Sequence, residues 1–220
     1  MGYKAAVAHF ALNNRSLGPD KVSVRRNPLQ GRSQTKVERI LSATAVLADT
    51  VPLDSITMAQ IGEAAGASFS SIYRFFPSKE AIFEAVAVAS LTRLQARYEA
   101  YFSGPINENP GEIIDHAIDI YVQFVAEEPG FKALWIDGMQ TLSFASLAHS
   151  VPDKAISMAR AYAVKTLGYP ENPDLDLRLA IAESATSRVL RFAFQDNGYP
   201  QDKVIAEIKR WLKAALLMLA

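Results

Sequence analysis

A short stretch of hydroxyl and basic side chains stands out in the N-terminal third of the chain. Ser68, Ser70 and Ser71 are small and polar, and Tyr73 and Arg74 follow within about one helical turn. Hydroxyl and guanidinium groups donate hydrogen bonds to phosphate oxygens and to base edges. A helix with a small polar face can also enter the DNA major groove, which is about 12 Å wide. The chemistry that these residue types support is therefore recognition of a nucleic acid.

Local signals place this stretch on a short helix that follows another short helix. Thr57 and Gln60 have the spacing of a capping box, so we expect a helix to begin at Thr57. Gly66 suits a left-handed residue at the end of that helix. Ser68 can cap the next helix, and Pro77 stops it. Together these signals predict two short helices joined by a tight turn.

A third helix completes a compact unit. Apolar residues recur at spacings of three and four over 33–50, which predicts an amphipathic helix there. The three predicted helices, 33–50, 57–65 and 68–76, form a helix-turn-helix within a three-helix unit. In the last of them Ile72, Phe75 and Phe76 supply the apolar side that packs inward.

The charge distribution supports a polyanionic partner for the first part of the chain only. The whole chain has 23 basic and 23 acidic residues. Residues 1–79 hold ten basic and five acidic residues, a net charge of +5, and residues 80–220 hold thirteen and eighteen, a net charge of −5. Basic residues are spaced between Pro and Gly over 1–32, which predicts a flexible basic arm. Whether this arm contacts DNA or is a solvated tail stays open.

The remaining sequence predicts further helices and no strand. Pro and Gly separate the segments, and no segment alternates convincingly with period two. The further helices are expected at 79–101, 112–127, 131–147, 153–167, 175–196 and 201–219. The predicted fold class is therefore all-α, with about nine helices.

The N-terminal motifs resemble those of a known family. The run ITMAQIGEAAGASFSSIYRFFPSKEAIFEAV, residues 56–86, is similar to the DNA-binding domain of the TetR family of bacterial transcriptional regulators. The resemblance covers about residues 33–90 and includes Ala65-Gly66, Ile72-Tyr73 and Ser78-Lys79-Glu80. It implies a homodimer that binds a near-palindromic operator in double-stranded DNA and is released by a small-molecule effector. The implied organisation is a basic arm (1–32), a helix-turn-helix domain (33–78) and a helical effector-binding and dimerisation domain (79–220).

The predicted DNA contacts combine hydroxyl, basic and cap residues of the helix-turn-helix. They are Arg32, Thr57, Ser68, Phe69, Ser70, Ser71, Tyr73, Arg74 and Lys79. Tyr73, Arg74 and Lys79 would reach phosphates, and the helix beginning at Thr57 offers backbone N–H groups to another phosphate. Phe69, at a position where the family often has Lys, either contacts a thymine methyl group or packs inward. Such departures from the family pattern affect the base preference that is expected.

The middle helices are rich in large apolar side chains, as a pocket for an apolar effector requires. The candidates are Tyr121, Phe124, Phe131, Trp135, Met139, Phe144, Met158 and Tyr162. An aromatic stripe at helical spacing is equally typical of plain core. His116, with Asp119, Glu112 and Asp115 nearby, suggests a metal site only weakly, and we predict none.

The last two predicted helices carry the stripes expected of a dimer interface. The candidates are Leu177, Ile181, Ala185, Arg188, Phe192, Val204, Ile208, Trp211 and Ala215. Two stripes per subunit would form a four-helix bundle across a two-fold axis. A rival interpretation, a basic amphipathic helix on a membrane surface over 203–219, is disfavoured by Glu207 and by a short polar face.

Several classes of function are disfavoured by absent residues. The chain has no cysteine, which excludes disulfide frameworks, thiolate metal sites and a cysteine nucleophile. No apolar stretch reaches the roughly 18 residues that span a bilayer, so we expect a cytoplasmic protein. No phosphate-binding loop or nucleophile elbow is present, so we predict neither a cofactor nor an enzyme. The alternative that stays open is a helical small-molecule enzyme with a DNA-docking module.

Overall fold

A computed structural model describes residues 31–104, 108–138, 157, 160–165, 168–171 and 173–217. These ranges contain seven α-helices with defined bounds, a further helical stretch, a 3-10 turn and a π-helical segment, and no strand. The α-helices are α1 Gly31–Thr50, α2 Met58–Ala65, α3 Phe69–Tyr73, α4 Lys79–Phe102, α5 Pro110–Glu127, α6 Pro173–Phe194 and α7 Gln201–Leu217. The 3-10 turn is Leu53–Ser55, the π-helical segment is Lys132–Asp137, and residues 160–165 are also helical. The all-α prediction is confirmed.

The described residues pack as two units. The first comprises residues 31–93 and 127–138, and the second comprises the described residues of 94–126 and 148–217. The first unit therefore extends past residue 78, where we expected the DNA-binding domain to end. It does so because the start of helix α4 and the segment after helix α5 share its core. As a boundary between functions, residue 78 stays a prediction.

The core of the first unit comes from every helix of the predicted helix-turn-helix. Helix α1 contributes Ile40 and Leu41, α2 contributes Ile61, α3 contributes Ile72, and α4 contributes Ile82, all at most 2% exposed. Burying a side chain of this size contributes roughly 1.5–3 kcal/mol. Short helices such as α2 and α3 are not stable alone, so this shared core holds them in place.

Helix α2 begins and ends as the sequence indicates. The Thr57 N–H donates to Gln60 Oε1 at 2.8 Å, and the Gln60 N–H donates to Thr57 Oγ1 at 3.3 Å, which completes the capping box. At the other end Gly66 is left-handed, with φ at 56°. The Ala67 N–H donates to the Gly62 carbonyl at 2.9 Å, which satisfies an orphan carbonyl of the helix end.

Gly62 allows helices α2 and α3 to approach closely. A Cβ atom at this position would lie 3.0 Å from the Ala67 carbonyl oxygen and 3.3 Å from Ile72 Cδ1. Both distances are tighter than ordinary van der Waals contact. A glycine is therefore needed for this close packing, although it costs a helix roughly 1 kcal/mol relative to Ala.

Helix α3 is shorter than the segment 68–76 that we expected. It ends at Tyr73, and a hydrogen-bonded turn continues the chain to Phe76. The Phe75 and Phe76 N–H groups both donate to the Ile72 carbonyl, at 2.8 and 2.9 Å. This tightened turn directs both aromatic rings into the core, where they are 2% and 0% exposed.

A turn after helix α5 completes the first unit by packing on helix α1. Gly130 has φ at 71°, and a Cβ atom there would lie 2.7 Å from the Ala45 carbonyl oxygen. The Gly130 N–H donates to Asp49 Oδ1 at 2.8 Å. Leu134, in the following π-helical segment, joins the core cluster. Only a glycine fits this contact, since any other side chain would meet the backbone of helix α1.

In the second unit, helices α5 and α7 are joined by ion pairs. Lys209 Nζ lies 2.5 Å from Asp119 Oδ1, and Lys213 Nζ lies 2.5 Å from Asp115 Oδ2. Both pairs step by four residues on each helix, so they follow one face of each. None of the helices in the described part of the chain is long and apolar enough to span a membrane.

Candidate nucleic-acid interface

Helix α3 is held so that one side faces the core and the other faces solvent. Ile72 is fully buried, whereas Phe69, Ser70 and Arg74 are exposed. Ser68 caps the helix, because its side-chain oxygen accepts from the Ser71 N–H at 3.3 Å. The arrangement presents a short helix outward on a rigid support, as reading a major groove requires.

The exposed polar face of helix α3 is made of small hydroxyl groups. Ser68 and Ser70 are exposed, their Oγ atoms lie 3.3 Å apart, and Ser71 is half-buried beside them. Each hydroxyl can donate and accept a hydrogen bond. Side chains of this size leave room for base edges or phosphates close to the helix backbone.

Phe69 points into solvent, so the interpretation that it packs inward is wrong. Its side chain is 57% exposed. Its ring lies 4.6 Å from the ring of the half-buried Tyr73, centroid to centroid, at an interplanar angle of 56°. The structure thus puts an apolar ring at the start of helix α3, on its exposed side.

Arg74 lies at the C-terminal end of helix α3 with its charge accessible. The residue is exposed, and its guanidinium carbon lies 4.8 Å from the centroid of the Phe75 ring. Stacking of this kind fixes the side chain while leaving N–H donors available. Arg74 is therefore the described basic residue of the helix best placed to meet a phosphate.

Lys79 has a different set of partners from the one we expected. Its ammonium group donates to the carbonyl oxygens of Leu53 at 3.2 Å, Asp54 at 2.8 Å and Ile56 at 2.9 Å. Three contacts use the three protons that an ammonium group has. Lys79 therefore ties the 3-10 turn to the start of helix α4, and its contact with a phosphate stays a prediction.

The structure says less about the predicted DNA contacts of Thr57 and Arg32. Thr57 is exposed, and its hydroxyl donates to Gln60 Oε1 at 2.9 Å as part of the cap. The backbone of Arg32 belongs to helix α1, but its side chain lies outside the described residues.

The positive charge expected near the interface lies mostly in the arm. Residues 31–79 hold five basic and four acidic residues, whereas residues 1–30 hold five basic residues and one acidic residue. The helix-turn-helix therefore carries a net charge of only +1. Most of the positive charge of the N-terminal part lies in residues 1–30, which are outside the described residues, and a contact of this arm with DNA stays a prediction.

The residues predicted to line an effector pocket fall into different places. Tyr121 and Phe124 are buried in the second unit, where the Tyr121 ring lies 5.8 Å from that of Phe194. Burial raises the pKa of the Tyr121 hydroxyl above its ordinary value, because the ionised form would lose its hydration. Phe131 and Trp135 belong instead to the first unit.

Tyr162 lies in the second unit, with its ring 6.0 Å from that of Phe102. The other pocket candidates, Met139, Phe144 and Met158, lie outside the described residues. A pocket lined by this set stays a prediction.

The acidic residues near His116 have other partners, and Glu112 accepts a hydrogen bond from the Asn109 N–H at 2.9 Å. Asp115 and Asp119 pair with lysines of helix α7, and His116 Nδ1 lies 3.4 Å from Glu108 Oε1. Among the described residues no group of three His, Asp or Glu side chains could hold a metal ion.

Large apolar side chains are exposed along helices α6 and α7, where we predicted a dimer interface. Leu177 and Ile181 are each 61% exposed, Trp211 is 48% exposed and Phe192 is 42% exposed. Arg188 is exposed, Ala185, Val204 and Ala215 are half-buried, and Ile208 is buried between the helices.

A groove of about 390 Å³ separates the two helices. Its lining residues include Phe192, Tyr199, Ile208 and Trp211. It is an apolar surface within one unit of a single chain.

Comparisons with known proteins agree with this architecture. Residues 40–86 match the family model of bacterial regulatory proteins of the tetR family, and residues 108–220 match that of the tetracyclin repressor-like C-terminal domain. Among curated proteins no sequence matches the chain significantly.

Several solved structures share the fold. A TetR-family regulator from Streptomyces coelicolor is 24% identical with a TM-score of 0.67, and the match covers 84% of this chain and 97% of that one. A regulator of the same family from Mesorhizobium loti MAFF303099 is 18% identical with a TM-score of 0.63, covering 86% and 98%. One from Rhodococcus sp. RHA1 is 20% identical with a TM-score of 0.57, covering 87% and 100%. The chain belongs to the TetR family and is a helix-turn-helix transcriptional regulator.

Proposed function

We propose that the protein is a repressor that binds a palindromic operator as a homodimer and leaves it when a small, largely apolar effector binds. The observation that carries the proposal is the orientation of helix α3. Ile72, Phe75 and Phe76 anchor it, and Phe69, Ser70 and Arg74 face outward. Helix α3 thus combines an apolar anchor with small hydroxyls, and an exposed guanidinium group follows at its C-terminal end.

The dimer is proposed from the apolar surface of helices α6 and α7. Leu177 and Ile181 leave most of their surface in water, although burial of such side chains is worth roughly 1.5–3 kcal/mol each. A two-fold axis beside these helices would bring the same surface of two chains together, which is the interface geometry of a closed dimer. Two copies of helix α3 could then enter successive major grooves, roughly 34 Å apart.

The effector is proposed to bind the C-terminal part of the chain. The buried Tyr121 and Phe124 support this proposal, because an apolar lining of this kind is what a small-molecule site requires. An effector that prefers a conformation with wrongly spaced recognition helices lowers DNA affinity by its coupling free energy, typically about 1–3 kcal/mol. The protein would act in the cytoplasm as a binding protein, without catalysis and without a cofactor.

The experiment is a selection of genomic DNA fragments by the purified full-length protein at near-physiological salt. Sequencing of the bound fragments gives the site, and a salt titration gives the number of phosphates neutralised. Analytical ultracentrifugation of the protein with and without the site gives the stoichiometry. The proposal expects an inverted repeat bound by two chains, with a steep negative slope of log affinity against log salt. A folded protein that enriches no fragment, or that binds a single asymmetric site as a monomer, contradicts it.

The effector step needs its own measurement, because DNA binding alone does not show repression. A panel of small apolar molecules is added to the preformed complex, and release of labelled operator is followed by fluorescence anisotropy. The proposal expects some of them to release DNA at saturable concentrations and to bind the protein stoichiometrically without being converted. Formation of a new product from a bound molecule would favour the alternative, an enzyme with a DNA-docking module.

A further inference from the structure

Helix α3 carries an aromatic pair, the exposed Phe69 and the half-buried Tyr73, that lies outside the core cluster of the first unit. The core of the first unit is closed beneath it by Ile72, Phe75 and Phe76, which are all at most 2% exposed. Phe69 is 57% exposed. Within the described part of this unit only one other large apolar side chain, Val46 of helix α1, is similarly exposed, at 56%. The exposed Phe69 ring on helix α3 is therefore available for burial against a partner outside the chain.

The Phe69 ring is also held in position before any partner binds. Residues four apart lie one turn from each other on the same side of a helix. The Tyr73 ring accordingly supports the Phe69 ring at a centroid distance of 4.6 Å, and Tyr73 is itself half-buried. A ring fixed in this way loses little conformational freedom when it meets a surface. The pair is therefore a preorganised apolar surface beside the hydroxyls of Ser68 and Ser70.

The major groove offers one apolar group for such a surface, the C5-methyl group of thymine. The other base edges present hydrogen-bond donors and acceptors. A phenyl ring placed on guanine O6 and N7, or on the cytosine amino group, would remove water from them without replacing its hydrogen bonds, which is costly. The ring thus discriminates by burying a methyl group and by penalising polar base edges.

We propose that Phe69, supported by Tyr73, is a specificity-determining residue that reads a thymine methyl group in each half of the operator. This inference rests on the proposed DNA-binding function, which it deepens by naming the chemical group that is recognised. It predicts a thymine, in each half-site, whose methyl group contributes to affinity only when the Phe69 ring is present.

The test removes the methyl group without changing base pairing. The operator obtained from genomic selection is synthesised with each thymine replaced in turn by deoxyuridine, and the dissociation constant is measured by anisotropy at fixed salt. For the wild-type protein we expect one position per half-site to weaken binding about fourfold, the equivalent of one buried methyl group. Replacement in both half-sites together should weaken it roughly fifteenfold, because separate sites add in free energy. Replacement of the same thymine by cytosine should cost more than replacement by uracil.

Protein variants assign the effect to the ring. The quantity compared is the dissociation constant with uracil at that position divided by the dissociation constant with thymine. In Phe69→Ser this uracil-to-thymine ratio should fall to about one, and in Phe69→Leu it should stay partly raised. Tyr73→Phe keeps the ring pair, so its uracil-to-thymine ratio should equal that of the wild type. Val46→Ser removes the similarly exposed apolar residue of helix α1 and should also leave the ratio unchanged. Since all these side chains except Tyr73 are exposed, thermal melting of each variant is expected to match the wild type.

The outcomes separate this inference from the function on which it rests. A selected site with no uracil-sensitive thymine, or a penalty that persists unchanged in Phe69→Ser, overturns the role of Phe69 and leaves the regulator intact. A protein that selects no DNA at all overturns both. The inference is confirmed if uracil weakens binding at the same position of both half-sites and this weakening is lost when the Phe69 ring is removed.

Discussion

Among single residues, Arg74 offers the sharpest test of how helix α3 holds DNA. Its exposed guanidinium group stacks on Phe75 and carries a positive charge. We expect Arg74→Ala to weaken binding to all DNA sequences. It should also lower the salt slope by about one for each phosphate that Arg74 neutralises, so by about two for a dimer. Salt titrations of specific and random duplexes measure both effects.

The matched variant Arg74→Lys keeps the charge but loses the planar donor group. Its slope should stay near that of the wild type while its affinity falls. If Arg74→Ala leaves the salt slope of DNA binding unchanged, Arg74 does not contact a phosphate.

For Lys79 we expect a loss of stability and no change in the salt slope, because its ammonium group is already bonded to three carbonyls. Lys79→Met would leave the carbonyls of Leu53, Asp54 and Ile56 without their donor, at a cost of about 1–3 kcal/mol in unfolding free energy. Urea unfolding followed by circular dichroism measures this cost. Lys132→Met is the control, since Lys132 forms an exposed pair with Asp137 that is worth less than about 1 kcal/mol. A Lys79→Met protein as stable as the wild type but with a lower salt slope would restore the phosphate contact that the sequence suggested.

Residue identity predicted local structure better than it predicted partners. The caps at Thr57 and Ser68 and the left-handed Gly66 follow from short-range spacing, and each is present as expected. The partners of Lys79 lie more than twenty residues away in sequence, so no local pattern contains them. The direction of Phe69 was also undecided, because helical spacing alone fits both a buried and an exposed ring.

At the scale of elements, the turn at Gly130 packs so closely on helix α1 that a side chain at this position would not fit. Gly130→Ala would impose a left-handed backbone on a residue with a Cβ atom, and it would drive that atom into the backbone of Ala45. The left-handed conformation alone costs roughly 1–2 kcal/mol. We expect a total loss of about 2–5 kcal/mol in unfolding free energy, because the clash adds a packing penalty of about 1–3 kcal/mol.

Gly66→Ala is the control for that variant, because it separates the two costs within the same unit. Gly66 is also left-handed, with φ at 56°, but a Cβ atom there would have no neighbour within 4 Å. It should therefore lose only the backbone contribution. If the two variants unfold at the same denaturant concentration, the close approach between Gly130 and helix α1 does not contribute to stability.

The same contact shows why the extent of the first unit was not visible in the sequence. Helix boundaries follow from caps, prolines and periodicity, and most lie within a few residues of the expected positions. The attachment of Gly130 and Leu134 to helix α1 depends on contacts across about 80 residues of chain. Periodicity identified these residues as apolar or turn-forming but could not state which core they would join.

For the whole molecule, the clearest consequence follows from where the positive charge lies: most of it is in the N-terminal arm, and little is in the helix-turn-helix. The helix-turn-helix segment 31–79 has a net charge of +1, and residues 1–30 supply +4. Counterion release scales with the number of phosphates neutralised, so most of the salt dependence of binding should come from the arm. We expect a variant lacking residues 1–30 to keep its preference for the operator over random DNA, because we propose that helix α3 reads the bases. Its slope should fall by about 0.9 for each phosphate that the arm had neutralised.

A full-length variant with Gln in place of Lys4, Arg15, Lys21, Arg25 and Arg26 separates charge from chain length. If the arm acts through charge alone, this variant and the truncated one should show the same reduced slope in salt titrations on the selected operator. If the arm instead enters a minor groove, truncation should also reduce discrimination at the base pairs flanking the recognition-helix site. A truncated protein with the slope of the wild type would place the phosphate contacts on the helix-turn-helix itself. Its five basic side chains would then have to neutralise every phosphate despite four acidic neighbours.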